Sequence, residues 1–448
     1  MNQHQLRRHI LDHVAEYFRL AHRPPPFAPG ETRLDYGGRV YDEHDLIALV
    51  DASLDFWLTL GQNSLAFEEA FAAYLGAGHA VYVNSGSSAN LIAVATLCSP
   101  QAERPLHPGD EVITPAATFP TVVAPIVQYG LVPVFVDCEP ATYNLDVAQV
   151  EGALSDCTRA ILLPHMMGNV TDMVRLMRIV EQRGLYLIED TCEAMGTRFD
   201  GQLLGTFGHL STFSFYPPHH ITTGEGGMVV TDDPALAKTA RSLRDWGRDC
   251  WCNPRTAGPD GACGRRFSYP IPGLADTYDH KYVYSNVGYN LRPTDMQAAL
   301  GLAQLAKFAE FEVARKANFA ALYDALSPYG DHLILPQWDH RADVCWFAFP
   351  ITVREDAPFS RGDLVRWLEG RGIETRYLMA GNILRQPGFR QIRHRTAGDL
   401  PNTEAVMRRA FFVGIYPGLD QPRLDYIISQ FQAFLARPPR SREQTSEV

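Results

Sequence analysis

Seven short apolar runs between residues 79 and 231 constrain the fold of this chain more than any other feature. They read AVYV, DEVITP, VPVFVD, RAILLPH, LYLIED, LSTFSF and GGMVVT, and several are separated by stretches with helical spacing such as SSANLIAVATL. Continuous rather than alternating apolar residues are typical of strands buried on both faces of a parallel sheet. The sequence therefore predicts a three-layer α/β domain built on a mostly parallel sheet.

The pattern changes beyond these runs, and a chain of 448 residues is long enough for a second domain. One long amphipathic helix is predicted over about residues 293–326. After it, CWFAFPITV, GDLVRWLEGRG, IETRYL and PRLDYIISQFQAFLAR alternate strand and helix patterns. We predict an N-terminal helical segment (1–48), a large α/β domain (49–305), a small α+β C-terminal domain (306–437) and a disordered polar tail (438–448).

Charge and hydropathy exclude two classes of partner. The net charge of −11 argues against a nucleic-acid surface, because phosphate binding requires clustered Lys and Arg. The opening MNQHQLRRHILDHVAEYFRLAH has helical spacing but lacks the uninterrupted apolar run of a signal peptide. No later stretch is long and apolar enough to span a membrane. We therefore expect a cytoplasmic protein that binds neither nucleic acid nor membrane.

Four separated stretches carry residues suited to one flat, phosphorylated cofactor. VNSGSSANL (83–91) joins a predicted strand to a helix through small residues, and free N–H groups at a helix start bind phosphate. LIEDTCEAMG (187–196) puts Asp190 at the carboxyl end of a buried strand, where an acid needs a cationic partner. TPAATFPT (114–121) offers Phe119 as a stacking ring, although taken alone a core aromatic is the simpler interpretation. SFYPPHHITTGEGG (214–227) supplies Ser214 as another phosphate donor.

Together with GYNLRPTDMQAALGLAQL (288–305), these stretches resemble the sugar aminotransferase family, which has fold type I and uses pyridoxal phosphate. The resemblance covers nearly the whole chain. It implies phosphate contacts from Ser87, Ser88 and Ser214, a ring-nitrogen partner in Asp190 and stacking by Phe119. It also implies a homodimer.

The chain departs from this family at its Schiff-base lysine, whose position maps onto His219. Only four of the 40 Lys and Arg residues are lysines, and none precedes Lys238. An imidazole cannot form the covalent link, so the cofactor must sit noncovalently, most simply as pyridoxamine 5′-phosphate. Histidine titrates near neutrality and can act as the base that removes a proton from the cofactor. The alternative interpretation is an inert relative of an aminotransferase.

The subgroup with histidine in place of lysine resembles the 3-dehydrases of nucleotide-linked 4-keto-6-deoxysugars, which remove the hydroxyl at sugar C3. The resemblance implies two kinds of enzyme. One is similar to GDP-4-keto-6-deoxymannose 3-dehydratase, finishes by hydrolysis and is recharged by glutamate. The other is similar to CDP-4-keto-6-deoxyglucose 3-dehydrase and its dTDP-sugar relatives, and it reduces its intermediate with electrons from an iron–sulfur cluster.

Four of the eight cysteines distinguish these kinds: Cys192, Cys250, Cys252 and Cys263. They are separated by 57, one and ten residues, and four thiolates suit either a [2Fe–2S] cluster or zinc. Spacing alone leaves both open; the resemblance favours [2Fe–2S], with a last gap longer than in the reductive enzyme. The remaining cysteines, Cys98, Cys138, Cys157 and Cys345, are predicted to be buried thiols.

The resulting hypothesis is C3 deoxygenation of dTDP-4-keto-2,6-dideoxyglucose or CDP-4-keto-6-deoxyglucose. No G-x-G-x-x-G follows a predicted strand, so the two electrons must come from an external ferredoxin, flavodoxin or dedicated NAD(P)H reductase. Arg376 and Arg385 are candidates for contacts with the sugar diphosphate, although solvated surface arginines are as consistent with the pattern. The alternatives are the cluster-free, glutamate-recharged dehydratase and an inert protein with structural zinc.

Overall fold

All seven apolar runs form strands of one sheet, as the sequence predicts. The computed structural model describes residues 1–23, 26–250 and 266–436. The described strands are β1 (His79–Val83), β2 (Glu111–Pro115), β3 (Val132–Val136), β4 (Thr158–Pro164), β5 (Tyr186–Asp190), β6 (Arg198–Phe199), β7 (Gln202–Leu203), β8 (Leu210–Ser214), β9 (Gly227–Thr231), β10 (Leu333–Ile334), β11 (Ala342–Asp343), β12 (Phe349–Val353), β13 (Thr375–Tyr377), β14 (Arg395–Thr396) and β15 (Ala410–Val413).

Helices connect most of these strands. They are α1 (Gln3–Ala21), α2 (Glu43–Leu54), α3 (Gln62–Leu75), α4 (Gly86–Cys98), α5 (Pro120–Gln128), α6 (Val147–Ala153), α7 (Met173–Arg183), α8 (Pro234–Arg244), α9 (Asp295–Ala306), α10 (Phe308–Leu326), α11 (Arg361–Glu369), α12 (Pro401–Arg409) and α13 (Gln421–Leu435). No helix among the described residues is long and apolar enough to cross a membrane.

The large sheet has eight strands in the order β1-β9-β8-β5-β4-β2-β3-β14. Pairs from β8 through β5, β4, β2 and β3 to β14 are parallel, and only the two pairs made by β9 are antiparallel. Neighbouring residues of each central strand pack on opposite faces. Val112 and Leu162 contact one core cluster, with α4, α5 and α8, whereas Ile113 and Ile161 contact another, with α6 and α7. The predicted three-layer architecture is confirmed.

The C-terminal part builds a second, antiparallel sheet in the order β10-β12-β15-β13, as expected for a small α+β unit. Helices α10, α11 and α13 contribute Leu322, Leu364 and Phe431 to its apolar cluster. The domain boundaries remain a prediction; the one at residues 48 and 49 falls within α2. The polar tail lies outside the described residues.

Two details differ from the sequence prediction. The helix expected over residues 293–326 is two helices, because the backbone at Lys307 (φ −100°, ψ −2°) departs from helical geometry. That break directs the Lys307 ammonium to the carboxylates of Asp42 and Asp45. The second difference is β14, a two-residue strand that pairs in parallel with β3 at the edge of the large sheet.

Candidate active site

A cavity of about 660 Å³ opens where β4, β5 and β8 end. Open α/β sheets bind ligands at the carboxyl ends of their strands. Eight of the predicted site residues are described, and six of them line this cavity: Ser87, Phe119, Asp190, Cys192, Ser214 and His219. Ser88 and Cys250 lie outside its lining. Ser87 and His219, 132 positions apart in the sequence, are therefore brought to one site.

Asp190, the last residue of β5, is 8% exposed and is held by two donors. The amide nitrogen Nδ2 of Asn90 donates to its Oδ2 at 2.7 Å, and the Cys192 N–H donates to its Oδ1 at 3.1 Å. The Thr212 hydroxyl in turn donates to Oδ1 of Asn90 at 2.6 Å, which fixes the orientation of the amide. A carboxylate oriented in this way suits a cationic ring nitrogen.

The N-terminus of α4 forms the small-residue side of the cavity. Ser85 caps the helix by accepting from the Ser88 N–H at 3.1 Å, and its hydroxyl donates to the Ser88 hydroxyl at 3.0 Å. Ser88 is thus engaged by the cap, whereas Ser87 is exposed on the cavity side. A side chain at Gly86 would lie 2.5 Å from the Ser214 Cβ, so glycine allows the two segments to meet. Such a helix start suits a phosphate.

Phe119 is the residue immediately before α5. It is 47% exposed and lines the cavity. The alternative of a core aromatic is therefore wrong. The ring offers one face for stacking against a flat ligand.

The two adjacent histidines have different surroundings. His219 lines the cavity, its ring centroid 5.3 Å from that of Phe347, and its Nδ1 has no hydrogen-bond partner among the described residues. His220 points into the core, where its Nε2 lies 3.0 Å from the Cys345 carbonyl oxygen. Burial, and then the charge of Arg315, lower the pKa of His219 to about 3, so its imidazole is neutral at physiological pH.

Two titratable residues that line the cavity, Glu193 and His165, were not predicted from the sequence. Glu193 accepts from the Met167 N–H at 2.7 Å, and burial together with Asp190 raises its pKa to about 8. His165 is 1% exposed, and its Nε2 contacts Glu189 at 3.0 Å. Glu193 stands three residues after Asp190 in the stretch already singled out, whereas no sequence signal distinguishes His165.

Two of the four cysteines predicted to bind a metal cluster, Cys192 and Cys250, lie within the described residues. Cys192 lines the cavity, and burial and the adjacent Asp190 raise the pKa of its thiol well above the ordinary value. The Cys250 sulfur lies 3.8 Å from Nε2 of His280. Cys252 and Cys263 lie outside the described residues, and among those described no three potential metal ligands lie together.

The prediction of buried thiols holds for two of the other four cysteines. Cys138 and Cys345 are buried, as expected. Cys98 is only partly buried and Cys157 is exposed, because Cys157 lies in the turn that precedes β4 rather than in the strand.

Of the two arginines predicted to contact the sugar diphosphate, Arg376 lines the cavity and Arg385 does not. Arg376 lines the cavity from β13, with its guanidinium 4.7 Å from the Tyr36 ring centroid and paired with Glu374. Arg385 is absent from the lining and pairs with Glu404 at 2.8 Å. Solvated surface arginine is thus the better description of Arg385.

This arrangement fits pyridoxal or pyridoxamine phosphate. Helix-start N–H groups and Ser214 face the position for a phosphate, Asp190 that for a ring nitrogen, and Phe119 that for the ring face. All four lysines are described, and none lines the cavity.

Comparison with known proteins points the same way. Residues 41–432 match the DegT/DnrJ/EryC1/StrS aminotransferase family. The chain is 47% identical over 435 residues to lipopolysaccharide biosynthesis protein RfbH of Salmonella typhimurium, covering 97% of this chain and 99% of that protein. It is 47% identical over 429 residues to dTDP-4-dehydro-2,6-dideoxy-D-glucose 3-dehydratase of Saccharopolyspora spinosa, covering 96% and 92%. A solved structure of a GDP-4-keto-6-deoxymannose-3-dehydratase variant with bound GDP-perosamine superposes with a TM-score of 0.79 at 29% identity, covering 89% of this chain and 99% of that one.

Proposed function

We propose that this chain, which belongs to the DegT/DnrJ/EryC1/StrS aminotransferase family, removes the C3 hydroxyl of a nucleotide-linked 4-keto-6-deoxyhexose. Its cofactor is pyridoxamine 5′-phosphate, held without a covalent bond. The similarity to a dTDP-sugar 3-dehydratase and to a GDP-sugar 3-dehydratase supports this substrate class. Between the nucleotides, dTDP is favoured by the 47% identity to the dTDP-sugar enzyme.

One observation carries the proposal: an imidazole, and no lysine, faces the cavity. Lys238 lies on α8, Lys307 binds Asp42 and Asp45, and Lys316 pairs with Glu312 and Asp343. Lys281 lies in the 3-10 helix His280–Tyr282 and does not line the cavity. No lysine of this chain is therefore placed in the cavity to form a Schiff base for transamination, whereas His219 is placed there to transfer a proton.

Each residue of the cavity then has a task. Ser87, Ser214 and the first N–H groups of α4 bind the cofactor phosphate, and Asp190 holds the ring nitrogen protonated. Phe119 covers one ring face. Bound pyridoxamine phosphate supplies an amine that condenses with the substrate ketone and a ring that accepts electrons.

His219 is placed to accept a proton in the cavity, which with pyridoxamine phosphate bound would be that of the cofactor methylene, so that the hydroxyl at sugar C3 could leave. The imidazole is suited to this step because it is neutral and its Nδ1 has no partner among the described residues. The protonated imidazole is then the natural acid for the departing hydroxyl.

Arg376 binds the substrate diphosphate. Of the described residues that line the cavity, Arg376 is the one with a permanently positive side chain, and its guanidinium suits bidentate contact with phosphate oxygens.

We further infer that Cys192, Cys250, Cys252 and Cys263 hold a [2Fe–2S] cluster. The cysteine spacing supports this, as does the position of Cys192 in the cavity wall. Net replacement of the C3 hydroxyl by hydrogen consumes two electrons and two protons and releases water. A cluster held by these four cysteines would pass electrons one at a time, and an external ferredoxin, flavodoxin or NAD(P)H-dependent reductase would supply them.

The glutamate-recharged, cluster-free reaction is the second candidate, favoured by the likeness to GDP-4-keto-6-deoxymannose-3-dehydratase. A visible spectrum with iron and zinc analysis of the purified protein separates the possibilities. Two irons per chain and a brown colour are expected for the reductive enzyme, and colourless active protein for the other. Zinc without turnover would indicate the inert relative and overturn the proposal.

A further inference from the structure

Arg315 is the most deeply buried cation in the described part of the chain, and the reaction proposed above does not use it. It lies on α10 with 1% of its surface exposed. No carboxylate of a described residue forms an ion pair with it, and its Nε has no hydrogen-bond partner there. A buried charge of this kind costs stability unless it is compensated.

The two remaining guanidinium nitrogens bind the carbonyls beside the cavity. Nη2 donates to the His219 carbonyl oxygen at 3.2 Å, and Nη1 donates to the Phe347 carbonyl oxygen at 2.9 Å. The rings of these two residues pack against each other, with centroids 5.3 Å apart. The guanidinium of Arg315 thus binds the backbone of His219 and also the backbone of Phe347, the residue whose ring contacts the His219 imidazole.

A second tie joins the same two segments. Nε2 of His220 lies 3.0 Å from the Cys345 carbonyl oxygen. Residues 219–220 and 345–347 are therefore held together by three polar contacts, of which the bond from Nη2 of Arg315 is the one made to His219 itself. The His219 N–H also donates to the Tyr216 carbonyl oxygen at 2.9 Å, within the same loop.

We propose that Arg315 is a positioning residue for His219, holding the imidazole in the cavity through the His219 and Phe347 carbonyls. This inference rests on the proposed function, in which His219 is the base. Misplacement of a reacting group by about 1 Å can cost a rate factor of about 10². The effect should fall on kcat, because Arg315 does not line the cavity that receives the substrate.

Arg315→Met tests the proposal, since methionine keeps an unbranched apolar stem but cannot bind either carbonyl. Losing these bonds and losing a buried charge oppose each other, so we expect little change in the free energy of unfolding. We expect kcat for C3 deoxygenation to fall about 10²-fold and KM to change less than two-fold. Arg315→Lys, which retains the charge and can reach one carbonyl, should restore part of kcat.

Arg244→Met is the matched control for a buried arginine. Arg244 is 6% exposed but pairs with Glu68 at 2.9 Å and Asp245 at 3.1 Å. Removing it takes one of two arginine partners from each carboxylate, since Arg241 also contacts Glu68 at 3.4 Å and Arg292 also contacts Asp245 at 2.7 Å, so stability should fall in this variant and not in Arg315→Met. If kcat of Arg315→Met falls only in proportion to its loss of folded protein, Arg315 is structural and the proposal is wrong.

A crystal structure of Arg315→Met gives a readout without substrate. We expect the His219 imidazole to leave its place against Phe347 or to occupy more than one rotamer; an unmoved ring overturns the proposal. His219→Asn distinguishes a failure of the positioning role of Arg315 from a failure of the proposed function, in which His219 is the base. If this variant is inactive while Arg315→Met is fully active, only the positioning role fails; if it is active, the proposed function fails. Should Arg315→Met not fold, Arg315→Lys is measured in the same assays, and full activity with an unmoved ring refutes the positioning role.

Discussion

Replacing His219 by asparagine should abolish most turnover while preserving the cofactor site. Asparagine approximates the size and polarity of imidazole but cannot take up a proton. The groups that hold the cofactor, namely Ser87, Ser214, Asp190 and Phe119, lie on other strands and helices and are unchanged. We therefore expect normal affinity for pyridoxamine phosphate in this variant.

The expected magnitude is the usual contribution of a positioned base, about 10²–10⁴ in kcat, because asparagine removes the proton acceptor outright. Burial, and then the charge of Arg315, lower the pKa of His219 to about 3, so the imidazole is neutral at pH 7 and free to accept a proton. Because the pKa of His219 is lowered rather than raised, its protonation should produce no acid limb in kcat between pH 5 and 8.

The assay is production of 3-deoxy sugar with a reductase and NAD(P)H, alongside a fluorescence titration with pyridoxamine phosphate. His219→Lys is the companion variant: it restores the family's amine and should give a covalent Schiff base that absorbs visible light with pyridoxal phosphate. Near-wild-type kcat in His219→Asn would remove the imidazole from the mechanism. Loss of cofactor binding together with activity would show that the side chain acts in binding instead.

Three further predictions test the cluster, the electron supply and the packing. Cys250→Ser should lose iron and brown colour but remain folded, whereas Cys157→Ser, at an exposed position, should keep both; unchanged iron in Cys250→Ser would refute the ligand assignment. Enzyme, sugar and pyridoxamine phosphate without a reductant should give no sustained turnover, and turnover sustained by glutamate alone would contradict the reductive reaction. Glu111→Gln should lower the free energy of unfolding by about 1–3 kcal/mol at pH 7, because Arg395 lowers the pKa of this carboxyl and so stabilises the folded state above the unfolded pKa. That difference should shrink in urea unfolding as the pH is lowered through the folded-state pKa of Glu111, because the carboxyl is then protonated in both states, and an effect that stays constant over this pH range would contradict the ion-pair explanation.

Much of the fold could be predicted because continuous apolar runs report burial on two faces. The same logic could not find β14, since two polar residues, Arg395 and Thr396, carry no such signal and pair only because the chain returns to β3. The break at Lys307 has no sequence signal either, because neither glycine nor proline occurs at residues 303–311; it coincides with the contacts of Lys307 with Asp42 and Asp45.

The site could be predicted where a residue type has one obvious chemical use at the end of a strand, as for Asp190 and Ser214. It could not be predicted where the role depends on distant partners. Asn90 matters because it reaches Asp190, 100 residues away, and Arg315 because it reaches His219 and Phe347, 96 and 32 residues away. No spacing in the sequence reports such pairs.

The late pairing of β14 has a consequence for the time course of synthesis. Arg395 and Thr396 pair with residues of β3 that are translated about 260 residues earlier. At roughly 5–20 residues per second, the outer edge of β3 waits about 13–50 s for its neighbour. During that interval a nascent chain presents an open strand edge, which is a template for pairing with another chain. Glu111 likewise lacks its ion-pair partner until Arg395 has been translated. The time for which the β3 edge is open to pairing with another chain is thus set by how quickly translation reaches residues 395 and 396.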